Sequence, residues 1–181
     1  DKTLNLNSGQ RISLIANNYL QGKDSYSGNI SLKYHSFNLK NELHRKALPG
    51  GNTLIENGLR KVIDFKEVVR FDAYDTENRT INFKNAVHIN MLNLVEENEV
   101  ILYYNRIQKD WEITNITADQ NIIPVLRSGI YAIAEINEAA ILKGKTTFNN
   151  KDARNENIML SYDNQNVNIL TTNNGLWESI I

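Results

Sequence analysis

Apolar residues recur at every second position along most of this chain, and that period confines them to strands. Successive side chains on an extended backbone point to opposite faces, so alternation makes one face apolar and leaves the other polar. From Ile63 to Ala73, the residues Ile63, Phe65, Val69, Phe71 and Ala73 fall on one side with only Glu67 interrupting. Asp64, Lys66, Arg70 and Asp72 line the other side, with Val68 as its one apolar member. Ile81 and Phe83, then Val87, Ile89 and Met91, then Val100, Leu102 and Tyr104, then Trp111 and Ile113 continue the pattern, with turn-forming residues between them. No segment of helical length carries a helical apolar period, and residues 38–48 predict at most a short turn of helix. The predicted fold class is all-β, an antiparallel β-sandwich over residues 1–127. Its single core is expected to include Ile12, Leu14, Ile30, Leu32, Ile63, Phe65, Val69, Phe71, Val87, Ile89, Leu102 and Trp111.

A second, smaller β unit is predicted over residues 128–181, after a break bracketed by Pro124 and Gly129. Its expected strands are 130–136, 139–147, 157–162, 167–172 and 176–181. Turns are expected at 163–166 and at 173–175, where Asn174-Gly175 suits positive φ.

Bulk composition narrows the chemistry. The 181 residues carry 20 Lys and Arg against 21 Asp and Glu, for a net charge of −1. Such a balance gives no general field for nucleic acid, and none is expected as a partner. No apolar run reaches the roughly 18 residues needed to cross a bilayer, so no transmembrane segment is expected in the chain. The absence of cysteine excludes disulfides, thiolate nucleophiles and cysteine-held metal centres. Asp1 opens the chain without a signal-peptide pattern, as expected of a mature or trimmed product.

Several segments bear a resemblance. Gly9 to Leu20 has a glycine, an alternating strand, a small residue, Asn and a hydrophobic close. Ser27 to Tyr34 with Phe37 forms a following strand with an aromatic end. Leu54-Ile55-Glu56-Asn57-Gly58 is a leucine, acid and glycine turn, and Val100 to Tyr104 with Trp111 is a closing hairpin. In this order they resemble the ZU-type β-sandwich of ankyrins and netrin receptors, in the divergent form found in surface lipoproteins of Bacteroidetes. The resemblance spans residues 4–116, with Ile15 standing where that form usually has proline. Ile141 to Thr146 and Thr171 to Trp177 resemble parts of a carboxypeptidase regulatory-like domain of transthyretin-like fold. The chain stops before that family's remaining strands, so the second unit is expected to be incomplete or to be completed by another strand. The resemblance implies an extracytoplasmic setting, at the cell surface or facing the periplasm.

The residues themselves point away from catalysis. His35, His44 and His88 have no ligand partner at helical or hairpin spacing, and His88 should face away from Val87 and Ile89. No phosphate loop, nucleophile elbow or motif-placed acid pair occurs. Asp72, Asp75 and Glu77 gather around one turn and are the candidate ligands for a hard cation such as Ca²⁺, set against a plain solvated hairpin tip. Tyr103, Tyr104 and Trp177 are the candidate binding residues, because aromatic faces offer rigid apolar area to a partner. Tyr103 and Tyr104, being adjacent, should point to opposite faces, and Trp111 should pack in the core.

The expected role is non-enzymatic and cofactor-free: a structural or protein-interaction module. One alternative is a glycan-binding module, which requires two or three exposed aromatics in one plane. Another is a hydrolase, which requires converging carboxylates or a His-acid pair. The strand 176–181, apolar and terminal, is expected to pair within the molecule or to add to a neighbouring chain's sheet.

Overall fold

The computed structural model describes residues 2–6, 9, 11–14, 18–162 and 165–180. Ile15, part of the Gly9 to Leu20 motif, part of the expected turn at 163–166, and Ile181 lie outside them. The elements run β1 (Lys2–Asn5), β2 (Arg11–Leu14), β3 (Tyr19–Gln21), β4 (Asp24–Tyr26), β5 (Ser31–Ser36), α1 (Glu42–Lys46), β6 (Thr53–Glu56), β7 (Leu59–Tyr74), β8 (Asn82–Phe83), β9 (Val87–Asn90), β10 (Glu99–Asn105), β11 (Asp110–Ile113), β12 (Ile122–Val125), β13 (Gly129–Glu138), β14 (Ile141–Lys145), β15 (Thr147–Phe148), β16 (Lys151–Asp152), β17 (Asn157–Tyr162), β18 (Gln165–Leu170) and β19 (Leu176–Ile180). The fold is all-β and antiparallel, with α1 the single-turn helix that residues 38–48 predicted; the Asn41 side chain caps it by accepting from the Leu43 N–H.

The chain divides into two compact units, Asp1–Asn137 and Glu138–Ile181. In the first, a four-stranded sheet of order β1-β2-β9-β12 faces a larger one of order β11-β10-β13-β7-β5, to which β6 adds by pairing with the start of β7. Pro124 sits on β12, an edge strand, where a missing N–H costs no ladder bond. Between the sheets lies a core of Ile12, Leu14, Val69, Phe71, Ala73, Ile81, Phe83, Val87, Ile89, Met91, Ile101, Ile123, Val125, Tyr131 and Ile133.

The single core expected from alternation is in fact two. Leu48, Leu54, Ile63, Val68, Leu102, Tyr104, Trp111, Ile130, Ala132 and Ala134 form a second cluster, with Phe65 packed against it. Ile63 and Phe65 therefore pack on one side of β7, and Val69, Phe71 and Ala73 on the other. Strict alternation would keep all five together, so the phase of β7 shifts by one residue between Phe65 and Glu67, as a bulge does. Glu67, the lone polar interruption, marks the crossing. Its buried carboxylate accepts the N–H groups of Leu92 and Asn93, at 3.0 and 2.9 Å, just past β9. Val68, the apolar exception on the polar face, is fully buried in the second cluster. Both faces of the larger sheet are thus covered over part of their area, one by the smaller sheet and one by the segment carrying Leu48 and Leu54.

The boundary expected before Ser128 is also corrected. Residues 130–136 belong to β13, which sits between β10 and β7 inside the first unit's larger sheet. Ser128 is a buried brace of that unit: its Oγ accepts the Ala73 N–H at 2.8 Å and donates to the Ile81 carbonyl at 2.9 Å.

Among the described residues, the second unit contains three antiparallel pairs, β14-β19, β15-β16 and β17-β18. Small polar residues tie it together. The buried Thr171 donates through Oγ1 to the Ala153 carbonyl at 2.7 Å and accepts the Glu156 N–H at 2.9 Å. Gly175 takes φ +69°, and a Cβ there would come within 2.4 Å of the Thr146 carbonyl, so both conformation and space demand glycine. The terminal strand β19 pairs with β14 inside its own unit, in the register Gly144 opposite Trp177.

Candidate functional site

The face of the larger sheet that carries the second cluster has an open, cationic end. The register of β5 on β7 sets His35 opposite Arg70 and Lys33 opposite Asp72. Arg106 follows β10 at the start of its hairpin turn, where the Asn105 side chain accepts the Ile107 N–H at 2.9 Å and fixes the turn.

Two arginines converge on one buried carboxylate. Asp72 is 1% exposed; its Oδ2 accepts from Arg70 Nε and its Oδ1 from Arg106 Nη2, the latter at 2.9 Å. The hydrogen bond to Asp72 holds the Arg70 guanidinium even more firmly protonated than usual, against the opposing effect of its partial burial. Each guanidinium has five N–H donors in a rigid fork, so one carboxylate positions both while leaving donors over.

Around this pair lie two hollows that share His35 and Arg70. One, of about 510 Å³, is lined by His35, Phe37, Ala47, Pro49, Arg70, Tyr104, Arg106 and Ile130. The other, of about 310 Å³, adds Lys33, Tyr34, Asp72 and Tyr74. Lys33 Nζ stands 5.1 Å from the centre of the Tyr74 ring, a cation–π contact that localises the ammonium. Among the described residues Asp72 is the only carboxylate lining either hollow, against the three permanent cations Lys33, Arg70 and Arg106.

The wall formed by Ala47 and Pro49 is pinned. Trp111 Nε1 donates to the Pro49 carbonyl at 2.9 Å. Gly50, at φ +74°, lies so close to Tyr104 that a Cβ would stand 2.8 Å from that ring. Trp111 is legible as core from the sequence, whereas the loop it anchors is not. The loop's Pro49-Gly50-Gly51 was the available signal.

The histidines separate as follows. His88 is exposed between buried Val87 and Ile89, as alternation required. His35 and His44, nine positions apart, are brought together by the fold, with ring centres 5.9 Å apart. His44 Nδ1 accepts the Asn38 N–H at 3.0 Å, and His35 meets Phe37 edge-on at 4.7 Å.

The candidate cation ligands Asp72, Asp75 and Glu77 do not converge. Asp72 is occupied by the two arginines. Asp75 closes the turn after β7: its Oδ1 accepts the N–H groups of Glu77 and Arg79 at 2.9 and 2.8 Å, and its Oδ2 accepts from Arg79 Nε at 2.7 Å. Glu77 is exposed and pairs with Arg79 at 3.1 Å. Among the described residues no three His, Asp or Glu side chains are grouped to hold a metal ion. Each of the three acids instead pairs with an arginine: Asp72 with Arg70 and Arg106, and Asp75 and Glu77 with Arg79.

The candidate aromatics are engaged too. Tyr104 is buried edge-on against Trp111, with ring centres 5.5 Å apart. Tyr103 points to the other face as expected, but it packs on Tyr131 at 5.2 Å beneath the Arg127 guanidinium, 3.9 Å from its ring. Trp177 lies across Gly144 on the neighbouring strand, so close that a Cβ at 144 would stand 2.3 Å from the indole. Within the first unit, Tyr103, Tyr104 and Trp111 form no shared exposed platform.

A larger hollow, about 1060 Å³, lies in the second unit over the β15-β16 hairpin. It is wide and lined by residues of one hairpin and its flanks, with mixed charges from Lys151, Asp152, Arg154 and Glu156.

Fold and groove together define an all-β, antiparallel sandwich with a cationic hollow on the outer face of its larger sheet. Compared with protein families, curated proteins and solved structures, the chain matches none.

Proposed function

We propose that this chain is a non-enzymatic protein-interaction module that engages acidic groups of its partner through the groove of His35, Arg70 and Arg106. What carries the reading is the convergence of Arg70 and Arg106 on buried Asp72, with Lys33 beside them and no other carboxylate among the described residues that line the hollows. Two guanidiniums held in place lose little freedom when an anion arrives, and planar forks suit carboxylates in particular. The extracytoplasmic, surface setting is part of the proposal and rests on the resemblance of residues 4–116 to surface sandwich domains. The glycan reading loses support because Tyr103, Tyr104, Trp111 and Trp177 are all packed against the protein's own residues.

The test is a titration of the isotope-labelled chain with a short poly-glutamate and, separately, with polygalacturonate. Poly-glutamate should shift the signals of His35, Arg70 and Arg106, and binding should weaken as salt screens the groove. No binding, or shifts mapping elsewhere, would overturn the reading. Tighter binding of polygalacturonate at the same residues would replace it with the glycan alternative.

A further inference from the structure

Strand β5 ends the larger sheet: it pairs with β7 on one side and, among the described residues, with no strand on the other. The Phe37 N–H donates to the Val68 carbonyl at 3.0 Å, extending the register that sets His35 opposite Arg70 and Lys33 opposite Asp72. Antiparallel partners alternate between pairs that exchange two hydrogen bonds and pairs that exchange none. Lys33 and His35 share the phase of Phe37 and bond inward to β7. Leu32 and Tyr34 therefore aim their N–H and C=O groups outward, along the open edge.

The side chains of this edge follow the same period. Lys33 and His35 are exposed on the groove face, while Leu32 and Tyr34 are half-buried against the sandwich core. Proteins guard open edges with proline, bulges, covering loops or charge. β5 carries no proline, and Lys33 is its one permanent charge. Its groove face is cationic, and Arg70 lies one strand further in.

Building on the groove as the contact surface, we propose that β5 receives an extended acidic segment of a partner protein as an added strand. The main chain of that segment bonds Leu32 and Tyr34. Its carboxylates, on alternate residues, lie about 7 Å apart, the same spacing as Lys33 and His35 on β5. Backbone bonds supply affinity without regard to sequence, and the alternating carboxylates select an acidic segment and set its register. Such a site differs from the terminal strand β19, whose pairing with β14 is internal.

The probe is a blocked six-residue peptide alternating Glu and Val, labelled for fluorescence anisotropy and titrated into the intact chain. Three controls accompany it: the peptide with Gln for Glu, the Glu peptide N-methylated on alternate residues in either phase, and the Lys33→Gln variant. Strand addition expects the Glu peptide to bind, one N-methylated phase to lose about tenfold or more in affinity, and both the Gln peptide and Lys33→Gln to lose about fivefold. Because the methylated peptides leave the protein unchanged, no question of misfolding enters. Equal binding of all methylated forms would overturn strand addition while leaving the groove as a side-chain site. Failure of the Glu peptide to bind, with poly-glutamate still shifting Arg70 and Arg106, would do the same. Failure of both ligands would overturn this inference and the interaction reading together.

Discussion

Arg106 reaches across from the β10-β11 turn to donate to Asp72 on β7 at 2.9 Å, on the same carboxylate that holds Arg70. A buried ion pair that loses either member is costly, but both arginine side chains here are 45% exposed, which moderates the effect. Asp72→Asn should lower stability by about 1–3 kcal/mol. Arg106→Gln, which leaves Arg70 on the carboxylate, should cost less, about 0.5–1.5 kcal/mol. Urea midpoints at constant slope measure both, and an Asp72→Asn protein as stable as the parent would show that the triad contributes nothing to the fold.

Phe71 is fully buried and stacks on Phe83, with ring centres 5.6 Å apart, in the core between the two sheets. Phe71→Ala removes a large side chain from a region whose neighbours come from both sheets and cannot easily close the gap. The expected loss is about 3–5 kcal/mol. Chemical denaturation gives the value directly, and a loss below about 1 kcal/mol would mean that the site collapses or is not packed as described.

Gly144 and Trp177 form a cross-strand pair in which the indole occupies the space of the absent side chain. Gly144→Ala should push the indole aside. The chain has two tryptophans, so the indole N–H region of a proton–nitrogen spectrum holds two signals. The substitution should move the Trp177 signal and leave that of Trp111 in place. Two unmoved signals would contradict the packing.

Asp75 gives stability a dependence on acid. Burial alone would raise its carboxyl, but the hydrogen bonds from the Arg79 side chain and from the backbone N–H groups of Arg79 and Glu77 outweigh that and hold it below the usual carboxylate range. A carboxyl depressed in the folded state binds fewer protons there than in the unfolded chain. Its contribution is therefore complete above the unfolded value, near about 3.9, and is lost as pH falls through the folded value. Asp75→Asn should be less stable at neutral pH and show a flatter decline below pH ~4 than the parent. Parallel curves for the two proteins would rule out this source.

How much was legible in the sequence differs from residue to residue. Ile12, Phe71, Val87, Ile89, Leu102 and Trp111 were identifiable as core because period-two alternation is a local property of the backbone. Asn57-Gly58, with φ of +51° and +79°, makes the two-residue turn between β6 and β7 for an equally local reason. What the candidate aromatics and the acidic turn touch was not legible in the sequence, because it depends on what stands opposite. The half-buried Trp177 packs where Gly144 has no side chain, and the carboxylates of Asp72 and Asp75 pair with Arg70, Arg106 and Arg79. Nothing in the order of residues announces that Arg106 returns to Asp72, 34 positions away.

The sequence by itself determined that the chain forms antiparallel strands, where most of them lie, and which side chains avoid water, since these follow from the two-residue period and from turn chemistry. Only the tertiary structure decided that β7 changes phase at Glu67, that the apolar residues divide into two cores, and that β13 belongs between β10 and β7. It also assembled the groove. Each of these depends on pairing between distant segments, where one residue of register exchanges the faces of a whole strand, and that choice is made by the fit of the assembled sheets rather than by any single strand.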